Sequence, residues 1–305
     1  MNSEVWQGRT DSEPDSERWH QIIQPFHKNV QPGVVLLGFC CDEGVRRNHG
    51  RTGAKQAPDA IRRALANLAW HSSRPVYDRD NIHCDDGDLE KAQKNLATRL
   101  VNPLKEGHFP IVLGGGHEVA FASWSGLYQF YKSATAKIGI INFDAHFDLR
   151  DPQFIHSSGT PFAQIAEKSQ EANWSFHYAV FGISRPNNTK ALFDSAAKHN
   201  TWVVEDEAIN VHTLPLLTDQ LQHWLQDKDG IYLSFDIDVL PASQAPGCSA
   251  PAALGVELAL LLPLLKQIKD SGKLILADIA EVNPTYDIDN RTAKVAARIV
   301  ELLAR

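Results

Sequence analysis

"KIGIINFDAHFD" occupies residues 137–148. Its first part, 137–144, is a short apolar run rich in isoleucine, the pattern of a strand buried on both faces. Its end places Asp144, His146 and Asp148 on alternate residues. Side chains two apart on a strand point to the same face, so two carboxylates and an imidazole are aimed together.

Comparable runs lie on either side. "VVLLGFC" (34–40), "FPIVLGG" (109–115), "HYAVFGI" (177–183), "TWVVE" (201–205), "IYLSFDI" (231–237) and "KLILADI" (273–279) read as further strands. Helical spacing recurs at 58–70 and near 90–106, 118–132, 190–199, 213–227, 256–270 and 290–304. Strands alternating with helix-length segments predict an α/β fold: one three-layer α/β/α domain with a mainly parallel sheet. Residues 1–30 read as a polar lead-in and 31–305 as the main domain. Ligands in such folds collect beyond the carboxyl ends of the strands.

Several predicted strands end in polar side chains. "VLGGGHE" (112–118) delivers His117, "YLSFDIDVL" (232–240) delivers Asp236 and Asp238, and "LADIAEVNP" (276–284) delivers Glu281. A lone Asp-x-Asp is usually a turn or a cap. Three such motifs at successive strand ends argue for a common site. Four aspartates and two histidines exceed what one divalent ion needs but suit two ions sharing bridging carboxylates. The oxygen-rich set favours Mn²⁺, Mg²⁺ or Fe²⁺ over structural zinc. Two such ions roughly 3.5–4 Å apart can activate a water as nucleophile. Without a cation the clustered carboxylates would repel one another.

Bulk properties narrow the field. The 305 residues are 43% hydrophobic, enough for a large core. The formal charge of −7 leaves no basic footprint for nucleic acid. The first residues lack the basic start and apolar centre of a signal peptide. The longest apolar stretch, 258–265, is too short for a membrane span and contains a proline. Cys40, Cys41, Cys84 and Cys248 form no CxxC pair, so neither a disulfide framework nor a zinc cluster is expected, and a cytoplasmic setting fits. The glycines of "VLGGGHE" match neither GxGxxG nor GxxxxGK[ST], which speaks against a nucleotide-binding protein.

"GGGHE", "DAHFD", "SFDIDVL" and "EVNP", in this order and rough spacing, resemble the ureohydrolase family of arginases, agmatinases and formimidoylglutamases. The resemblance runs from about residue 38 to the C-terminal end. It implies a single α/β domain and a centre of two Mn²⁺ ions per subunit, with His117, Asp144, His146, Asp148, Asp236 and Asp238 as ligands. His117 would serve one ion and His146 the other, with Asp144 and Asp236 as bridging candidates. Glu281 falls where the family holds the amidine-like end of the substrate, a task for which a carboxylate can accept two parallel N–H bonds. The resemblance also implies a homo-oligomer, trimeric or hexameric.

Three departures from the arginases bear on substrate choice. Ser158, in "SSGTPF" (157–162), takes the place of a proton-shuttling histidine, with His156 two residues away. Arg150 replaces a neutral amide. Arg185 and Asn187, in "GISRPNNT" (182–189), stand where arginases carry acidic residues. The last two changes add cations and remove acid, which favours a substrate with free carboxylates. Cys248, in "APGCSAP" (245–251), is placed near the pocket. These features resemble the formimidoylglutamase branch, whose reaction turns N-formimidoyl-L-glutamate and water into L-glutamate and formamide in histidine degradation. Asp148 is the expected proton carrier, and Arg150, Arg185, Asn187 and Ser158 the expected substrate contacts. A hydrolase of another guanidino acid, such as guanidinobutyrate, shares every metal ligand. A catalytically silent metal-binding relative would be expected to have lost one of them.

Overall fold

The computed structural model describes residues 3–131 and 136–305. Its strands in chain order are β1 (Gln24–Pro25), β2 (Val34–Cys40), β3 (Val76–His83), β4 (Phe109–Leu113), β5 (Ile138–Phe143), β6 (His177–Ile183), β7 (Trp202–Glu205), β8 (Gly230–Asp236) and β9 (Leu274–Ala280). The α-helices are α1 (Trp19–Ile22), α2 (Glu43–Arg47), α3 (Ala57–Ala66), α4 (Leu89–Lys105), α5 (Val119–Tyr131), α6 (Pro161–Glu171), α7 (Lys190–Lys198), α8 (Leu214–Gln226), α9 (Leu258–Asp270) and α10 (Arg291–Ala304). The strands form one sheet in the order β1-β3-β2-β4-β9-β8-β5-β6-β7, and every pairing is parallel.

Alternation along the strands feeds two cores. Val34, Leu36, Ile111, Leu113, Ile141 and Phe143 pack under α3, α8, α9 and α10. Val35, Leu37, Val112, Ile138, Ile140 and Val180 pack under α4, α5, α6 and α7. Burial on both faces is why the central strands read as unbroken apolar runs rather than alternating ones. The layers are those expected from the sequence. Residue 132, the expected end of α5, lies outside the described residues.

Among the longer elements, two had no clear expectation. β3 reads "VYDRDNIH", with charges that break any apolar run, and its register against β2 shifts between Leu36 and Gly38. α6 begins with Pro161 as its first residue and buries Phe162, Ile165, Ala166 and Ser169 at helical spacing. The N-terminal stretch packs on the main core. Val5, Trp6, Trp19 and Ile23 are buried, Trp6 Nε1 donates to Asp78 Oδ2 at 2.8 Å, and β1 adds to the sheet edge beside β3. Among the described residues, no helix is long and apolar enough to cross a membrane.

The glycines of "VLGGGHE" serve close backbone approach. A Cβ at Gly115 would stand 1.7 Å from the Cys41 carbonyl oxygen, and one at Gly114 would stand 2.7 Å from that of Ile279. Gly114 N–H donates to Ile279 O and Gly116 N–H to Cys41 O, while Gly115 O accepts from Glu281 N–H. The loop after β4 is therefore held to residues following β2 and β9, and His117 comes to lie over the middle of the sheet.

Candidate metal centre and active site

Four neighbouring strands, β4, β9, β8 and β5, end beneath one cavity of about 310 Å³. His117 follows β4, Asp144, His146 and Asp148 follow β5, Asp236 ends β8 with Asp238 just beyond, and Glu281 follows β9. His117 Nδ1 lies 3.0 Å from Asp144 Oδ2, 2.9 Å from Asp148 Oδ2 and 3.1 Å from Asp236 Oδ2. His146 Nδ1 lies 3.0 Å from Asp238 Oδ2 and 3.6 Å from Asp144 Oδ1. Two groups could each hold an ion: His117 with Asp144 and Asp148, and His146 with Asp144 and Asp238. Asp144, fully buried, belongs to both.

The donor set fits divalent cations. His117 Nδ1 is buried and crowded by three carboxylate oxygens, yet it forms no hydrogen bond of good geometry. Its other nitrogen, Nε2, is 2.9 Å from Ser234 Oγ, and that hydroxyl donates to Asp278 Oδ1 at 2.6 Å. Tyr232 OH donates to the second oxygen of Asp278 at 2.5 Å. With its proton committed to Asp278, Ser234 accepts from His117 Nε2–H. The Nδ1 lone pair is then turned toward the carboxylates, as a metal-binding imidazole requires. Asn142 Nδ2 similarly fixes Asp144 Oδ2 at 2.9 Å, and Asp238 N–H donates to Asp236 Oδ1 at 2.8 Å.

The same crowding raises proton affinity. Burial lowers the pKa of His117, but the carboxylates of Asp144, Asp148 and Asp236 outweigh it and hold the imidazole well above its usual value. For His146, burial is likewise outweighed by Asp238 and Asp144. Burial and then the Asp144 charge push Asp148 up. Burial and then Glu118 hold Glu281 well above the ordinary carboxylate range. Protons and cations therefore compete for these donors.

Glu281 Oε1 accepts from His117 N–H at 2.9 Å, while its Oε2 is buried without a partner. Three cavity-lining residues adopt left-handed backbone, His49 at φ 60°, Asp148 at φ 50° and Glu281 at φ 65°. Such conformations are costly for non-glycine residues and concentrate at functional sites.

Arg150, Ser158 and Asn187 line the cavity as expected. Arg185 does not. Its guanidinium pairs with Glu205 at the end of β7 and lies 4.7 Å over the Phe193 ring. His156 also turns away, with Nδ1 3.4 Å from Glu90 Oε1. Cys248 is fully buried behind Ser249 and Ala250, which line the cavity in its place, and all four cysteines are free. The sequence reading overlooked Asn48, Arg51 and Asn188, which also line the cavity. "NHGRTG" (48–53) gave only a polar, glycine-containing loop as a signal. Asn188 braces the metal-motif loop, donating to Ala145 O and accepting from Phe147 N–H.

A model of the arginase family matches residues 32–304. The formimidoylglutamase of Aeromonas salmonicida (strain A449) is 54% identical, covering 99% of this chain and 97% of that protein. That of Vibrio vulnificus (strain CMCP6) is 50% identical over 96% of this chain and 92% of its own. Among solved structures, formimidoylglutamase from Bacillus subtilis superposes with a TM-score of 0.86 at 25% identity, covering 97% of this chain and 93% of that one. Trypanosoma cruzi formiminoglutamase with Mn²⁺ gives 0.84 at 25% identity, covering 95% and 97%.

Proposed function

The chain belongs to the arginase family, and we propose that it hydrolyses N-formimidoyl-L-glutamate to L-glutamate and formamide at a centre of two Mn²⁺ ions. The observation that carries the substrate choice is the division of charge within the cavity. Every carboxylate lining it, Asp148, Asp236, Asp238 and Glu281, lies on the strand ends; the remaining charged lining residues are Arg51 and Arg150, with His49 beside them. A cationic tail such as that of agmatine would meet those arginines, whereas the carboxylates of a glutamate would be attracted.

His117, Asp144, Asp148 and Asp236 would hold one ion, and His146, Asp144 and Asp238 the other, with Asp144 bridging. Two such ions, when bound, would supply a water activated as nucleophile at neutral pH. The chain's own residues do the rest. Glu281 Oε2, partnerless and buried, receives the amidinium N–H groups, whose charge favours the ionised carboxylate. His117 N–H fixes the other oxygen, so Glu281 cannot swing away from the substrate. Asp148 takes the proton of the attacking water at a carboxylate oxygen and returns it to the departing glutamate nitrogen. Burial already raises its proton affinity toward the range that such a shuttle needs. Arg150, Ser158 and Asn187 contact the glutamate portion. Four free cysteines fit a cytoplasmic setting.

The test is a turnover assay on Mn²⁺-loaded protein offered formimidoylglutamate, agmatine, arginine and guanidinobutyrate, with formamide, ammonia and urea quantified. Formamide and glutamate from the first substrate alone are expected. Urea from a guanidino compound would keep the dimetal chemistry and overturn the substrate. No product with metal bound would favour a silent relative.

A further inference from the structure

Arg185 leaves a gap in this reading, because a glutamate portion carries two carboxylates and Arg150 is a single guanidinium. The structure offers a replacement on the opposite loop. Arg51 lines the cavity and is fixed along its whole length. Its backbone N–H donates to Ser249 Oγ at 2.9 Å, and its carbonyl accepts from Asn283 Nδ2 at 2.9 Å. Nε donates to Ser249 O at 2.9 Å and Nη2 to Cys248 O at 2.5 Å. The guanidinium carbon stands 4.3 Å over the Tyr286 ring.

These contacts use two of the five guanidinium N–H donors. Among the described residues the other three have no acceptor, and no carboxylate lies within ion-pair distance of Arg51 or of Arg150. Neighbouring arginines differ. Arg47 pairs with Glu43 and Glu90, Arg62 with Asp78, and Arg185 with Glu205. A cation held by carbonyl oxygens and an aromatic face, with no counter-charge of its own, is pre-organised for an anion that arrives from outside.

We propose that Arg51 is the second carboxylate-binding residue of the cavity, and that Arg51 and Arg150 each take one carboxylate of a single dicarboxylate substrate. The proposal rests on the formimidoylglutamate reading and sharpens it. A guanidino acid with one carboxylate would leave one of the two guanidinium groups unmatched, so the pair selects against the guanidinobutyrate alternative.

Calorimetry on the full Mn²⁺-loaded chain tests this with three ligands: L-glutamate, 4-aminobutyrate, which lacks the α-carboxylate, and L-2-aminobutyrate, which lacks the side-chain carboxylate. The wild type should bind L-glutamate at least about tenfold more tightly than either of the others. Arg51→Gln should weaken L-glutamate and one monocarboxylate by roughly tenfold or more and leave the other unchanged. Arg150→Gln should show the reverse pattern. Arg51→Lys keeps the charge without the fork and should give an intermediate loss on the same ligand, which carries the test if the Gln variant unfolds. Equal weakening of all three ligands, or of none, would assign Arg51 to loop structure alone and overturn the proposal. The turnover of formimidoylglutamate by wild type is read separately. Ligand selectivity without that turnover leaves Arg51 in place and removes the reaction, whereas turnover with uniform losses does the opposite.

Discussion

The floor of the cavity and its rim are built on different supports. The floor residues stand at the ends of β4, β5, β8 and β9, four adjacent strands whose register is set by the sheet. The rim residues stand on loops around 48–51, 150–158 and 187–188, which are held by side chains and carbonyls from distant parts of the chain. On the floor, spacing along the chain determines which side chains meet. On the rim, the outcome depends on partners that arrive from elsewhere.

Substitutions should respect that division. The largest effect is expected on the floor: Asp148→Asn should reduce kcat on the order of 10³-fold while the melting temperature holds. A variant retaining near-normal kcat would remove Asp148 as proton carrier. Glu281→Gln should lower kcat/KM by about 10²-fold, since a neutral amide cannot give an amidinium a charged pair of acceptors. An unchanged kcat/KM would detach that carboxylate from the substrate.

The raised proton affinities of His117 and His146 give a pH signature. Both imidazoles must lose a proton before binding metal, so Mn²⁺ affinity should rise with pH. The rise should run through and above the ordinary imidazole range, since the carboxylates hold both imidazoles protonated beyond it. Calorimetric affinities that stay flat over that range would contradict the competition. Below the floor, Ser234→Ala removes the hydroxyl that orients His117 and should weaken one metal site by about tenfold, with the other untouched. Equal weakening of both sites would mean a general loosening instead. The smallest effect belongs to Arg185→Gln, on the far side of Glu205. Its kcat/KM should stay within roughly twofold of wild type, and a large rise in KM would return Arg185 to the substrate.

This contrast also explains what could be read from the sequence. Asp-x-His-x-Asp and Asp-x-Asp carry their geometry with them, because period two on a strand aligns the side chains. Arg185 and Arg51 carry none. Arg185 looked available because Glu205, which neutralises it, lies 20 residues further on at the end of another strand. Arg51 went unassigned because its anchors, Ser249 and Cys248, are almost 200 residues away in the chain. The Ser234–Asp278 support beneath His117 was hidden for a related reason: each looks like a stray polar residue inside its own strand, and only the β8–β9 register, which pairs them, shows their purpose. β3 escaped notice because its charged residues find partners across the sheet edge, where Asp78 meets Arg62 and Trp6.

The position of β9 has one more consequence. It follows every other strand in the chain, yet it sits in the middle of the sheet, between β4 and β8. Without its pairings to both neighbours the sheet would fall into two halves: β1 to β4 carry His117, and β5 to β8 carry the aspartates and His146. The imidazole and the carboxylates that crowd it then have no fixed relation. Joining them requires contacts between segments more than 150 residues apart, the slow kind of pairing in folding. A two-ion site at these residues therefore requires the central seam to be closed.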